Sequence, residues 1–258
     1  MPHHGSATHV ASVSEVALFL DLDGAIVPFA TEPQAVRASV ACRVVLRRAL
    51  DHLRGRLAVL SGRTISAVDE VLGGAIHCVA GVDGLERRTP VGGLVLEPSH
   101  ESVADATAVL AALARAQPGL LVEGKRSSVA IHYGAAPEVA EAVIETVERL
   151  AKSSGLYVQL GKMVAELRTP RPDKGAALSR FMLEAPFLGA RPVFIGDDLT
   201  NEAGFAAARR LGGVGILVGD ARTTLAQGHF ATPAAVLSWI MHSLDVGRFD
   251  FREAGWAV

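Results

Sequence analysis

The chain has 258 residues, half of them hydrophobic, and a formal net charge of -2 from 25 Lys and Arg against 27 Asp and Glu. That length and apolar share allow one large domain or two modest ones and exclude global disorder. The near-neutral balance argues against a broad nucleic-acid or anionic-membrane surface, while leaving room for a local basic pocket.

No apolar run approaches ~18 residues, so no membrane span is expected. Cys42 and Cys78 are the two cysteines. Their spacing is not that of a metal site, and they fit buried thiols in a reducing cytoplasm. Residues 1–14 carry no Lys or Arg and no apolar core of a signal peptide, and they read as a mobile tail.

The first strong element is the apolar run Val16 to Leu20, a buried strand of a parallel sheet. It ends in Asp21 and Asp23, followed by Gly24. Two carboxylates at the carboxyl end of a buried strand fit a divalent-cation site, and equally a solvated acidic turn. Apolar spacing from Ala35 to Leu53 predicts a helix starting near Pro33. Leu57 to Leu60 predicts a second strand, running into Ser61-Gly62-Arg63-Thr64 and a short helix from Ile65 to Leu72. That turn could hold an anion, or Ser61 or Thr64 could simply cap the helix. Ile76 to Ala80 reads as a third strand, and Val91 to Leu96 as a hairpin-like continuation.

The pattern then changes. A helix over 101–116, strands over 120–124 and 127–133, a helix over 137–151 and strands over 156–160 and 163–168 describe an antiparallel sheet covered on one face. Asp173-Lys174-Gly175 opens a helix to about Glu184. Val193 to Gly196 is a further strand ending in Asp197-Asp198, followed by a helix over 200–209, a strand over 213–218 and a closing helix over 234–244. The expected architecture is α/β. A doubly wound, Rossmann-like parallel sheet (15–97 and 171–258) carries an inserted α+β domain (98–170).

In such a sheet, Asp21/Asp23, Ser61, Lys174 and Asp197/Asp198 fall on one ligand-binding edge. Four carboxylates, a hydroxyl and an ammonium suit a divalent metal and a phosphoryl group, and hard oxygen ligands favour Mg²⁺ over zinc. Asp21-Leu22-Asp23-Gly24, Ser61, Lys174 and Gly196-Asp197-Asp198 resemble the four motifs of haloacid-dehalogenase-type phosphatases. Leu60 to Arg63, Ala80 to Glu86, Glu123-Gly124-Lys125, Ala130 to Tyr133, Gly161 to Glu166, Glu184 to Gly189 and Gly196 to Glu202 further resemble the trehalose-6-phosphate phosphatase family. The likeness spans about residues 17 to 244. The chain departs from that family's usual pattern at Ala25, Asp83, Gly134 and Asn201, none of which is an acid, hydroxyl or lysine of the core motifs.

The resemblance implies a Mg²⁺-dependent sugar-phosphate phosphatase, with the inserted domain a cap that excludes water and reads the sugar. Asp21 would be the nucleophile and Asp23 the general acid and base. Ser61 and Lys174 would bind the phosphoryl group. The cation would be held by Asp21, Asp23 through its carbonyl, Asp197 and Asp198. Arg63, Glu123, Lys125, His132, Lys162, Glu166 and Glu202 would contact substrate. A monomeric cytoplasmic enzyme acting on a small molecule, without nucleic acid or membrane, is the expectation. The alternatives are a phosphatase for another sugar phosphate and a non-catalytic sugar-phosphate-binding module.

Overall fold

The structure is a computed structural model describing residues 9–28, 36–96, 100–124, 128–161, 163–170 and 173–255. In chain order it begins with β1 (Val10–Ser12), β2 (Val16–Leu20), α1 (Val40–His52), β3 (Leu57–Leu60), α2 (Ile65–Leu72), β4 (Cys78–Gly81), β5 (Glu86–Arg88) and β6 (Leu94–Leu96). There follow α3 (Ser102–Ala116), β7 (Leu121–Gly124), β8 (Ser128–His132), α4 (Ala140–Ser154), β9 (Tyr157–Gly161) and β10 (Val164–Arg168). The last stretch holds α5 (Lys174–Phe181), β11 (Arg191–Gly196), α6 (Glu202–Arg210), β12 (Val214–Val218), β13 (Gly228–Phe230), α7 (Pro233–Val246) and β14 (Arg248–Asp250). The chain divides into two compact units, Met1–Leu96 with Pro172–Val258, and Glu97–Arg171.

The first unit is built on a sheet of order β13-β12-β11-β2-β3-β4-β5-β6 among the described residues. Its first six strands are parallel, and β5 and β6 return antiparallel. Strand β2 is buried along its whole length. Its period-2 geometry sends Val16, Leu18 and Leu20 to one face and Ala17 and Phe19 to the other. The first face packs on α1, α2 and α7, the second on α5 and α6. A strand covered on both sides must be apolar throughout, which is why 16–20 reads so clearly in the sequence.

The second unit has its own core and a four-stranded antiparallel sheet of order β7-β8-β10-β9. Val129, Ile131, Ala165 and Leu167 face α3 and α4, whose Val103, Leu110, Val143 and Val147 are buried against them.

Three expectations need correction. The helix expected near Pro33 starts at Val40, because the Ser39 side chain accepts from Cys42 N–H and Ala38 N–H is drawn to Val71 O. Pro33 lies outside the described residues. Residues 9–14, expected in the mobile tail, are tied down: β1 pairs with β14, Ala11 is buried and His9 O accepts from Phe251 N–H. Finally, β5, β13 and β14 were not expected at all. Each is three residues long, too short for a periodic signal.

On the α5 side of the sheet, the Phe19 and Phe187 rings stack at 5.4 Å, with Phe181 5.4 Å from Phe187 and 6.2 Å from Phe19. All three are fully buried. Phe187→Ala is expected to cost roughly 3–5 kcal/mol in urea denaturation, the usual loss when a fully buried phenylalanine leaves a cavity. A loss under ~1 kcal/mol would show that the cluster does not hold α5 to the sheet.

Candidate active site

The strand order places the site. From β2 the chain proceeds outward through β3 and β4, then returns on the other side of β2 to lay down β11, β12 and β13. The order reverses at β2, and a crevice opens where neighbouring connections diverge at the carboxyl ends. Asp21 directly follows β2, Ser61 follows β3 and Asp197 follows β11. Residues separated by more than 170 positions therefore share one edge.

Asp21 is buried. Its Oδ1 accepts from Leu22 N–H at 2.7 Å and its Oδ2 from Lys174 Nζ at 2.6 Å. Lys174 is the first residue of α5, capped by Asp173, whose side chain accepts from Ala176 N–H at 2.7 Å. The ammonium reaches the site because α5 lies tight against α6: a Cβ on Gly175 would stand 2.3 Å from Ala203 O. Lys174 Nζ also donates to Asn201 Oδ1 at 3.4 Å. Burial pushes the Asp21 carboxyl above its ordinary pKa, and the Lys174 charge and hydrogen bond only partly offset it.

Asp21, Asp197 and Asp198 each offer a carboxylate oxygen, all within 4.8 Å of one another. Burial, reinforced by the charges of Asp21 and Asp198, raises Asp197 to about 6. Asp197 enters the space left by a missing side chain. Gly24 has φ +73°, and a Cβ there would fall 1.8 Å from Asp197 Oδ2. Asn201, fully buried, donates from Nδ2 to Asp198 Oδ1. Three acids with one ammonium among them leave excess negative charge, which an oxygen-liganded divalent cation would neutralise. The donor set fits Mg²⁺.

Asp23 is turned to a different partner. Arg63 grips it with two parallel bonds, Nε to Oδ2 and Nη2 to Oδ1, both 2.7 Å. Ser61 is buried, and its Oγ accepts from Arg63 N–H at 3.1 Å, closing the turn. The same turn is laced to the end of β4: Val82 N–H donates to Arg63 O at 2.8 Å and Asp83 N–H to Ser61 O at 3.0 Å. Val82 and Asp83 adopt φ of 49° and 56°, an unfavourable left-handed pair that such anchoring sustains. The Asp83 carboxylate consequently lies over Gly62, with Oδ1 3.5 Å from where a Cβ would stand. Ala25 is buried in the core.

Glu202 reaches the acids indirectly. Its carboxylate accepts from Thr224 Oγ1 and Leu225 N–H at 2.7 Å and from Arg222 Nη1. Arg222 Nη2 in turn donates to Asp198 O at 2.7 Å. Arg222 was missed in the sequence because it lies in a loop without a motif.

In the second unit, Glu123, His132 and Glu166 share the sheet face opposite α3 and α4. His132 Nε2 lies 3.3 Å from Glu123 Oε2, and Ser128 Oγ donates to Glu166 Oε1 at 2.6 Å. Lys125 and Lys162 lie outside the described residues. Gly134 sits where a side chain would meet Met163, its Cβ 3.6 Å away.

The sequence matches the model of the trehalose-phosphatase family over residues 19–228. It is 36% identical over 205 residues to a probable trehalose-phosphate phosphatase of Sinorhizobium fredii, covering 79% of this chain and 77% of that one. It is 33% identical over 229 residues to the trehalose-6-phosphate phosphatase of Escherichia coli K12, covering 88% and 86%. In fold it resembles the trehalose-6-phosphate phosphatase of Aspergillus fumigatus, with a TM-score of 0.68 at 23% identity over 90% of this chain and 93% of that one.

The raised Asp197 makes a stability prediction. A carboxyl with a higher pKa in the native state than in the unfolded one favours folding while it is protonated. That contribution is full below 3.8 and is lost as pH rises through about 6. In metal-free buffer Asp197→Asn is therefore expected to raise the Tm at pH 7.5 and to gain much less at pH 5. Mg²⁺ should raise the Tm of the wild type at pH 7.5 and leave that of the variant unmoved. A variant less stable than wild type at pH 7.5 without metal would contradict this electrostatic account.

Proposed function

The chain belongs to the trehalose-phosphatase family, and on that premise we propose that it hydrolyses trehalose 6-phosphate to trehalose and inorganic phosphate. The reaction would depend on Mg²⁺ and pass through a phosphoryl group carried on Asp21. The observation that carries the reading is the buried Asp21–Lys174 pair at 2.6 Å beside Asp197 and Asp198. A carboxylate oxygen is thereby fixed in place at the edge where an anionic ligand would enter.

In this reading an Asp21 carboxylate oxygen attacks phosphorus, forming a new P–O bond while the bond to the sugar oxygen breaks. Asp23 gives its proton to the departing sugar oxygen and then takes one from the water that hydrolyses the acyl phosphate. Arg63, gripping Asp23 before substrate arrives, would have to loosen that grip for Asp23 to carry a proton. Lys174 and the Ser61 hydroxyl hydrogen-bond the phosphoryl oxygens and offset their developing charge. Asp21, Asp197, Asp198 and the Asp23 carbonyl would hold Mg²⁺. When bound, the cation supplies the positive charge that lets a carboxylate approach a phosphate. Glu202 acts through Arg222, steadying the Asp198 backbone.

The second unit would read the sugar. Glu123 and Glu166, with Lys125 and Lys162, supply acceptors and donors for hydroxyl groups, and His132 orients Glu123. A cytoplasmic, monomeric enzyme acting on a small molecule is in keeping with this reading. Among the described residues, no helix is long and apolar enough to cross a membrane.

Two experiments test the proposal. In a panel of sugar phosphates, trehalose 6-phosphate is expected to exceed glucose 6-phosphate in kcat/KM by at least ~10²-fold, equal to roughly 2.7 kcal/mol of transition-state binding. Equal rates would favour a phosphatase for another sugar phosphate. Chelation should abolish phosphate release, Mg²⁺ should restore it, and Asp21→Asn should lower kcat by a factor on the order of 10³ or more while the protein stays folded. Release of phosphate by that variant at the wild-type rate would remove Asp21 from the chemistry.

A further inference from the structure

Strand β12 runs parallel to β11 with Leu217 beside Gly196, so the loop that follows β12 emerges at the same edge as Asp197 and Asp198. Arg222 closes that loop onto the acids. Its Nη2 donates to Asp198 O at 2.7 Å, while its Nη1 donates to Glu202 Oε1 and to Thr223 O, the latter at 3.2 Å. Glu202, the first residue of α6, gathers the rest of the loop. Its carboxylate accepts from Thr224 Oγ1 and Leu225 N–H, both at 2.7 Å. Burial works against the Glu202 charge, but these hydrogen bonds outweigh it and hold the carboxyl below its ordinary pKa. Asp198 is gripped at both of its polar ends. Its Oδ1 accepts from Thr200 N–H at 3.0 Å, from Thr200 Oγ1 at 2.7 Å and from Asn201 Nδ2, which commits that oxygen to the turn. Its carbonyl accepts from Asn201 N–H at 3.2 Å and from Arg222.

We propose that Arg222 is a positioning residue that sets how tightly this site holds a divalent cation, by fixing the Asp198 main chain. The proposal rests on the cation-dependent reading above and extends it to a residue that no motif singles out. Charge and geometry act in opposite directions here. As a bare charge, a guanidinium beside Asp21, Asp197 and Asp198 would oppose a cation, and its loss would tighten binding. Glu202 cancels that charge, however, so the pair brings little net field to the acids. What remains is geometry. The planar fork of Arg222 joins an acceptor before the turn, Asp198 O, to one after it, the Glu202 carboxylate. The single nitrogen of a lysine does not reproduce that span. Holding the chain where β11 passes into α6 holds Asp197 and Asp198 against Asp21. Groups that orient metal ligands in this way are commonly worth about 10–100-fold in metal affinity.

The test titrates Mg²⁺ into the full, metal-free chain and follows binding by calorimetry and by the rise in Tm. Arg222→Met and Arg222→Lys are each expected to bind Mg²⁺ about tenfold or more weakly than wild type. The Mg²⁺ concentration for half-maximal phosphate release should rise by a similar factor in both. Circular dichroism and the Tm before metal is added check that each variant is folded. Should Arg222→Met not fold, Arg222→Lys, which keeps the charge, decides. Adding Glu202→Gln to Arg222→Met should weaken binding no more than about twofold further, because Glu202 acts on the acids through Arg222. Wild-type affinity in Arg222→Met overturns the assignment, and tighter affinity overturns it by marking Arg222 as a charge alone. Wild-type affinity in Arg222→Lys overturns it too, since one nitrogen would then suffice. Unchanged variants beside a wild type that binds Mg²⁺ fail this assignment and leave the cation reading standing. A wild type that binds no Mg²⁺ fails the cation reading and this assignment together.

Discussion

The ion pair between Lys174 and Asp21 is the constraint around which the first unit is arranged. Both side chains are almost entirely withdrawn from solvent. Burying a lone carboxylate or ammonium costs several kcal/mol, so each needs the other, and neither can be removed without stranding its partner. Bringing them together requires a strand to end at Asp21, a helix to begin at Lys174, and the sheet to reverse direction between them. Gly175 contributes by letting α5 approach α6, without which the ammonium would stand too far out.

The pair neutralises one negative charge and leaves the others. Asp197 and Asp198 come from the neighbouring strand end, and burial first, then the charges of Asp21 and Asp198, raises Asp197. Gly24 makes the same point sterically, since Asp197 occupies the volume of its absent side chain. A cluster of acids concentrated at this cost fits the donor set of a divalent cation better than a solvated turn. Asp23 stands outside the acid cluster, held by Arg63, so the two aspartates of one turn face different chemistry.

Much of this was legible in the sequence where a physical signal is strong and local. Val16 to Leu20 announced a strand buried on both faces, and the acids behind it announced a strand end. The helices and strands of the second unit lie within a few residues of the expected spans. Elsewhere the determining contact is distant. The start of α1 depends on Ala38 meeting Val71, and the fixing of residues 9–14 depends on β14. The Arg63–Asp23 fork joins residues 40 apart, and the link from Glu202 through Arg222 to Asp198 runs through a loop. The face shared by Gln159 and Glu166 follows from strand register, which alternation alone leaves undetermined because a slip of one residue inverts it.

Covalent chemistry on Asp21 is the central claim, and trapping the intermediate tests it most directly. Enzyme mixed with trehalose 6-phosphate and Mg²⁺, quenched in acid within milliseconds and digested, should yield a peptide containing Asp21 that carries one added phosphoryl group. The adduct should disappear on brief exposure to alkali and be absent from Asp21→Asn. Rapid phosphate release with no phosphorylated peptide, or with the phosphoryl group on another residue, would contradict the account.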